Sequence, residues 1–212
     1  FIDEAYHRRM MMRKERDPDG YRIYGLGEWG ETGGLILNNW EVKDISQDLS
    51  DWEYLSIGQD FGFNHANATL TIANKDDDIY VLNELYVYEK TTSEIIDLAT
   101  GKVAKDITMY CDSAEPDRIK EWKKAGFRAT AVKKEKVTGS TYINNQINWL
   151  KERQIYIHPS CTNLIKELSQ WKWKYDDKRS EYLDEPVAFF DDAIAALRYG
   201  VEPVSYTHLT LP

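Results

Sequence analysis

Cysteine is scarce in this chain: Cys111 and Cys161 are the only two in 212 residues. That excludes a small secreted scaffold held together by disulfides. No C-x-x-C pair and no His/Cys cluster offers a zinc site. Long apolar runs are missing too. No stretch approaches the roughly 18–20 residues that span a bilayer, and no signal peptide opens the chain. These absences fit a reduced, cytoplasmic protein. Positive charge is in deficit, with Lys+Arg at 27 against Asp+Glu at 36, a net charge of −9. A compact, non-specific DNA binder is usually basic, so the deficit weighs against free-standing affinity for nucleic acid. It weighs less against a site whose bound cations bring the positive charge. An initiating methionine is also lacking. The chain opens on Phe1, as a fragment of a longer protein would. What is present is ordinary for a globular protein, 42% hydrophobic and 13% aromatic, and long enough for one domain with an appendage.

The first 50 residues differ from the rest. Ala5 to Arg16 is short, polar and helix-like. Asp17-Pro18-Asp19-Gly20 follows, then Gly25, Gly27, Gly30, Gly33 and Gly34, a density that predicts turns and loops outside the core. From Trp52 the pattern becomes that of alternating elements. Tyr54 to Asp60 predicts a first strand. Ala68–Ala73 and Ile79–Tyr88 predict two more, joined by the polar turn Asn74 to Asp78. A helix opens at Thr92, a strand spans Ile107 to Cys111, and Pro116 marks the start of another helix. Ala129–Val132 predicts a strand and Ser140 or Thr141 caps a helix. Ile155–Ile157 predicts a strand and Thr162–Trp171 a helix. Trp171, Trp173 and Tyr175 alternate as an edge strand does, Asp177 to Ser180 forms a turn, and Asp191–Tyr199 is a last short helix. Hairpin-linked strands followed by alternating strands and helices predict an α/β fold, a mixed sheet with helices on both faces. Residues 205–212 follow Pro203 without a clear pattern and are expected to lie outside the fold.

Carboxylates fall at the ends of these elements. Asp60 closes the first strand, with alternation placing it on the face opposite Leu55 and Ile57. Asp112 closes the strand from Ile107. Asp191 and Asp192 open the final helix, whose dipole favours their charged form. Acidic groups at the carboxyl ends of neighbouring strands can converge at one sheet edge, where they repel unless cations join them. Oxygen ligands suit Mg²⁺ or Mn²⁺, and two such ions can clamp a scissile phosphodiester. Each residue alone also fits a structural role: Asp60 in a turn, Asp112 accepting backbone donors ahead of Pro116, Asp191 or Asp192 as an N-cap. Together, at the ends of the right elements, they favour the metal reading.

The same residues carry a resemblance. Gly25-Leu26-Gly27-Glu28-Trp29-Gly30 resembles the stretch that closes the ATPase domain in the large terminase subunits of tailed phages. Gly58-Gln59-Asp60-Phe61-Gly62 resembles the first nuclease motif of that family. Cys111-Asp112-Ser113-Ala114-Glu115-Pro116 resembles the second. Glu185-Pro186 with Phe190-Asp191-Asp192-Ala193-Ile194-Ala195-Ala196-Leu197-Arg198-Tyr199 resembles the third. No single motif is specific, but the ordered set from about residue 20 to Tyr199 is. The resemblance implies an RNase H-like nuclease domain over residues 51–203. Residues 1–50 would be the tail of an upstream ATPase domain and linker, and 204–212 a tail. It implies an endonuclease that hydrolyses concatemeric double-stranded DNA with two divalent cations, Mg²⁺ or Mn²⁺. The implied partners are DNA, the ATPase domain, a portal protein and a small terminase subunit, in the host cytoplasm at the procapsid portal. Asp60 and Asp112 carry over as catalytic metal ligands. The third site departs from one common pattern, Asn-His-x-x-Asp-Ala-Leu-Arg-Tyr, because Ala195 stands where the second acid would be. Three residues earlier lies nearly the same helix face, so Asp192 is the expected ligand, with Asp191 as cap or alternate.

Lys133, Lys134 and Lys136 follow a predicted strand near the catalytic edge and are candidates for holding DNA phosphates. Lys120, Lys123 and Lys124 read as a solvated helix face, and His65 as a loop histidine or a neighbour of the Asp60 site. Two other readings stay open: another RNase H-like nuclease of resolvase or transposase type, and a non-catalytic module that docks the portal or the small subunit.

Overall fold

A computed structural model describes residues 34–133, 139–188 and 190–209. Its centre is a seven-stranded mixed sheet in the order β1-β7-β4-β3-β2-β5-β6. The strands are β1 (Trp40–Val42), β2 (Tyr54–Asp60), β3 (Asn67–Lys75), β4 (Asp78–Val87), β5 (Thr108–Cys111), β6 (Arg128–Ala131) and β7 (Ile155–Ile157). β2, β3 and β4 form an antiparallel meander. β5 pairs parallel to β2 and β6 parallel to β5, while β7 and β1 extend the other edge in parallel. The β3–β4 turn is two residues, Asp76 and Asp77, both with positive φ of 53° and 65°. That is the twist a tight hairpin requires, and aspartate tolerates it.

Among the described residues five helices cover the sheet: α1 (Thr92–Ala99), α2 (Pro116–Lys124), α3 (Gly139–Lys151), α4 (Thr162–Leu168) and α5 (Asp192–Leu209). Local sequence sets where they start. Thr91 and Glu94 form a reciprocal capping box at α1, and Pro116 opens α2. α4 begins on a carboxylate from the sheet, because Glu84 accepts the amides of Asn163 and Leu164, each at 2.9 Å. One face of the sheet packs Leu70, Ile72, Ile79, Val81 and Ile157 against α3, α4 and α5. The other packs Ile57, Met109, Cys111 and Ala129 against Ile95 of α1 and Ile119 and Trp122 of α2. Burying each large aliphatic side chain contributes roughly 1.5–3 kcal/mol before entropy is set against it. Cys111 and Cys161 are both buried and free; burial pushes each thiol up to about 12. Among the described residues no helix is long and apolar enough to cross a membrane.

Several elements depart from the bounds the sequence predicts. The main sheet begins before residue 51: β1 pairs with β7, and Ile36 and Leu37 are buried in the main core. The short apolar run Leu35-Ile36-Leu37 is captured by tertiary contacts despite its glycine-rich approach. At the other end, α5 does not stop near Tyr199 but runs through Pro203 to Leu209. The helix continues although an interior proline gives up a backbone hydrogen bond, so residues 204–209 are helical rather than patternless. α4 ends at Leu168, short of Trp171, which buries its ring in the core. β8 (Trp173–Asp176) is not an edge of the main sheet. It pairs with β9 (Glu181–Pro186) in a separate antiparallel ribbon, with Tyr175 and Tyr182 exposed and in edge-on contact at 4.9 Å. The helix expected at Ala5–Arg16, the Gly25–Gly30 stretch and residues 210–212 lie outside the described residues.

Candidate metal centre

Two glycines set how closely α5 approaches the sheet. A Cβ on Gly58 would stand 1.8 Å from the carbonyl oxygen of Ala196, and one on Gly200 would stand 2.4 Å from Cδ1 of Ile72. Strand and helix backbones therefore touch. Asp60 lies two residues beyond Gly58, on the same face of β2. Asp192 lies about one helical turn before Ala196. The contact brings both carboxylates to the carboxyl end of β2. The backbone turns left-handed at Phe190, with φ 50°, and delivers Asp191 and Asp192 to the start of α5.

Ligand-type atoms of Asp60, His65 and Asp192 all lie within 4.8 Å of one another. Nδ1 of His65 is 2.7 Å from Oδ1 of Asp192. The Tyr86 hydroxyl donates to Glu167 at 2.8 Å and lies 3.3 Å from the other oxygen of Asp192, so its single proton is shared between the two carboxylates. Glu167, buried in α4, accepts the amide of Ile194 at 3.0 Å. It thus caps α5 and fixes the helix end that carries Asp192.

The electrostatics are those of a site short of positive charge. Burial, then the neighbouring Asp192 carboxylate, push Asp60 up to about 8. Burial raises Asp191, with Arg198 opposing and Asp192 adding to the rise. Burial and then Asp192 hold Glu167 well above the usual carboxylate range. A divalent cation among these oxygens would relieve the repulsion and stabilise the ionised forms. The donor set, two carboxylates and one imidazole within reach of a common point, fits such an ion.

Asp112 does not join that trio. It follows β5, in which Cys111 is the parallel partner of Ala131 and Gln59 the partner of Cys111. Asp112 is therefore the next position beside Asp60, on the same sheet edge. Its Oδ1 accepts the amide of Ala114 at 3.0 Å, the backbone role the sequence also allowed. Its carboxylate further accepts from the hydroxyl of Tyr199 on α5, a phenol that also feels Asp60. Asp191 is partly buried next to Asp192 but outside the trio. Lys133 is exposed just beyond β6, where the amide of Val132 bonds the Cys111 carbonyl at 2.9 Å, so it stands on the same edge as Asp112. Lys134 and Lys136 lie outside the described residues. Lys120, Lys123 and Lys124 are exposed on α2 as expected. His65 is the member of the cluster that the sequence leaves ambiguous; its one signal is its place in the short loop leaving Asp60.

Known proteins share this architecture. A family model described as a terminase RNase H-like domain matches residues 60–203. The PBSX phage terminase large subunit of Bacillus subtilis (strain 168) is 24% identical over 214 residues, covering 95% of this chain and 48% of its own length. The chain thus spans about half of that relative. The nuclease domain of the g2p large terminase from bacteriophage SPP1, solved with bound manganese, matches with a TM-score of 0.70 at 19% identity, over 81% of this chain and 98% of its own. The large terminase of a thermophilic bacteriophage matches with a TM-score of 0.62 at 19% identity, over 80% of this chain and 45% of its own. The mixed sheet with helices on both faces is the RNase H-like fold of these nuclease domains, and the chain belongs to the terminase RNase H-like domain family.

Proposed function

We propose that this chain is the endonuclease domain of a viral DNA-packaging terminase, a divalent-metal-dependent hydrolase of phosphodiester bonds in concatemeric double-stranded DNA. The observation that carries the reading is the convergence of Asp60 and Asp192 at one sheet edge, with Asp112 at the adjacent register position. The manganese bound by the SPP1 domain supports it. Asp60, Asp112 and Asp192 would hold two cations, Mg²⁺ or Mn²⁺, with Asp191 as alternate. The chemistry such ions supply is activation of water for attack and neutralisation of the charge that develops on the phosphodiester. The chain's own groups do the positioning. Tyr199 holds the Asp112 carboxylate, Tyr86 holds Asp192, and Glu167 anchors the helix end between them. Lys133, with Lys134 and Lys136 following it, would contact DNA phosphates flanking the cut.

On this reading the domain works beside an ATPase domain, with a portal protein and a small terminase subunit, at the procapsid portal in the host cytoplasm. A plasmid-nicking assay with Mn²⁺ or Mg²⁺ tests it. The protein should nick DNA with either ion or with Mn²⁺ alone, and Asp60→Ala and Asp112→Ala should each abolish nicking. A full-length protein that is inert with both ions would favour the docking module instead.

A further inference from the structure

The loop from Phe61 to Ala66 is held so that His65 returns over Asp60. A Cβ on Gly62 would stand 2.1 Å from the Ala66 carbonyl oxygen and 2.6 Å from that of His65, so the loop doubles back tightly on its own backbone. Both of its ends are tied by one side chain. Nε2 of Gln59 donates to the Asp60 carbonyl at 2.9 Å and to Oδ1 of Asn67 at 2.8 Å. From α2, Nη1 of Arg118 donates to the Gly62 carbonyl at 3.4 Å. The His65 side chain itself is 56% exposed, against 11% for Asp192. It adds little to packing, yet the backbone aims it at two carboxylates.

We infer that His65 supplies a nitrogen ligand to the ion held by Asp60 and Asp192, and that it biases the site toward Mn²⁺ and Co²⁺ over Mg²⁺. This rests on the metal-dependent reading proposed above. An all-oxygen site suits Mg²⁺, whereas an imidazole nitrogen favours first-row transition ions, increasingly from Mn²⁺ to Co²⁺. His65 is thus a specificity-determining residue for the cation.

The test reads coordination and affinity rather than cleavage. Mn²⁺ bound to the full chain is probed by electron spin-echo modulation for coupling to nitrogen, and Mn²⁺, Co²⁺ and Mg²⁺ are titrated calorimetrically. The wild type should show nitrogen coupling, and His65→Ala should lose it. That variant should weaken Mn²⁺ and Co²⁺ by about tenfold or more and Mg²⁺ by no more than about threefold. His65→Asp should restore tight binding with the preference moved toward Mg²⁺. Mn²⁺ binding that depends on Asp60 but lacks nitrogen coupling overturns the inference while leaving the metal-dependent reading standing. Equal weakening of all three ions in His65→Ala overturns the selectivity. No Asp60-dependent binding of any ion overturns both.

Discussion

Gly58 of β2 lies against the Ala196 carbonyl of α5 with no room for a side chain, a Cβ there standing 1.8 Å from the oxygen. The neighbour is backbone, so no rotamer change relieves the overlap. Gly58→Ala should cost about 1–3 kcal/mol, the usual range for overpacking, measured by urea unfolding. Because the same contact sets the distance from Asp192 to Asp60, the variant should also lose divalent-ion affinity. Gly101, where a Cβ meets nothing within 4 Å but φ is +83°, is a useful control. Alanine there should lower stability through backbone strain and leave ion binding unchanged.

Glu167 ties α4, β4 and α5 together by accepting from Tyr86 and from the Ile194 amide. Glu167→Ala leaves the buried Ile194 amide at the helix end without its acceptor and the half-buried Tyr86 hydroxyl with Asp192 alone, at an expected cost of about 1–3 kcal/mol. It should also weaken ion binding, since the start of α5 is then less firmly held. Urea unfolding and ion titration on the same variant check both effects.

Asp60 gives the site a pH dependence of definite sign. Its folded value, about 8, lies above the roughly 3.9 of an unfolded aspartate. The folded state therefore keeps a proton that the unfolded state loses between those values. The stability this contributes is fully present below about pH 4 and disappears as pH rises through about 8. The ion-free protein should melt at progressively lower temperature as pH rises from about 5 to about 8, and Asp60→Asn should flatten that slope. With Mn²⁺ present the trend should reverse, because ligation requires the ionised carboxylate. Thermal melts across pH, with and without Mn²⁺, read this directly.

The third ligand separates by substitution. Asp192 faces Asp60 and His65, whereas Asp191 lies outside that trio. Asp192→Asn should abolish nicking, and Asp191→Asn should retain most of it.

Much of the fold was legible in the sequence because local pattern and tertiary structure agree. Tyr54–Asp60 and Ile155–Ile157 have the bounds the sequence predicts, and the Asp76-Asp77 turn falls within the polar run expected to hold it. β1 was not legible, because three residues after a glycine-rich stretch become a strand only by pairing with β7, more than a hundred residues away. The continuation of α5 past Pro203 was hidden because propensity argues for a stop there, whereas the helix runs on to Leu209. In the site, the sequence put Asp60 and Asp112 at strand ends, but their meeting at one edge waits on the pairing of β2 with β5, and Asp192 was singled out through the resemblance to the terminase motifs, one helical turn from Ala195. The approach of His65 was not legible, since its position depends on how Gly62 lets the loop fold back on Ala66.

The most direct test is a crystal of the protein soaked in Mn²⁺ and measured at a wavelength where manganese scatters anomalously. A manganese peak should be bonded to carboxylate oxygens of Asp60 and Asp192, with any second peak on the Asp112 side. A peak that touches neither Asp60 nor Asp192, or no peak at this sheet edge at saturating Mn²⁺, would contradict this placement.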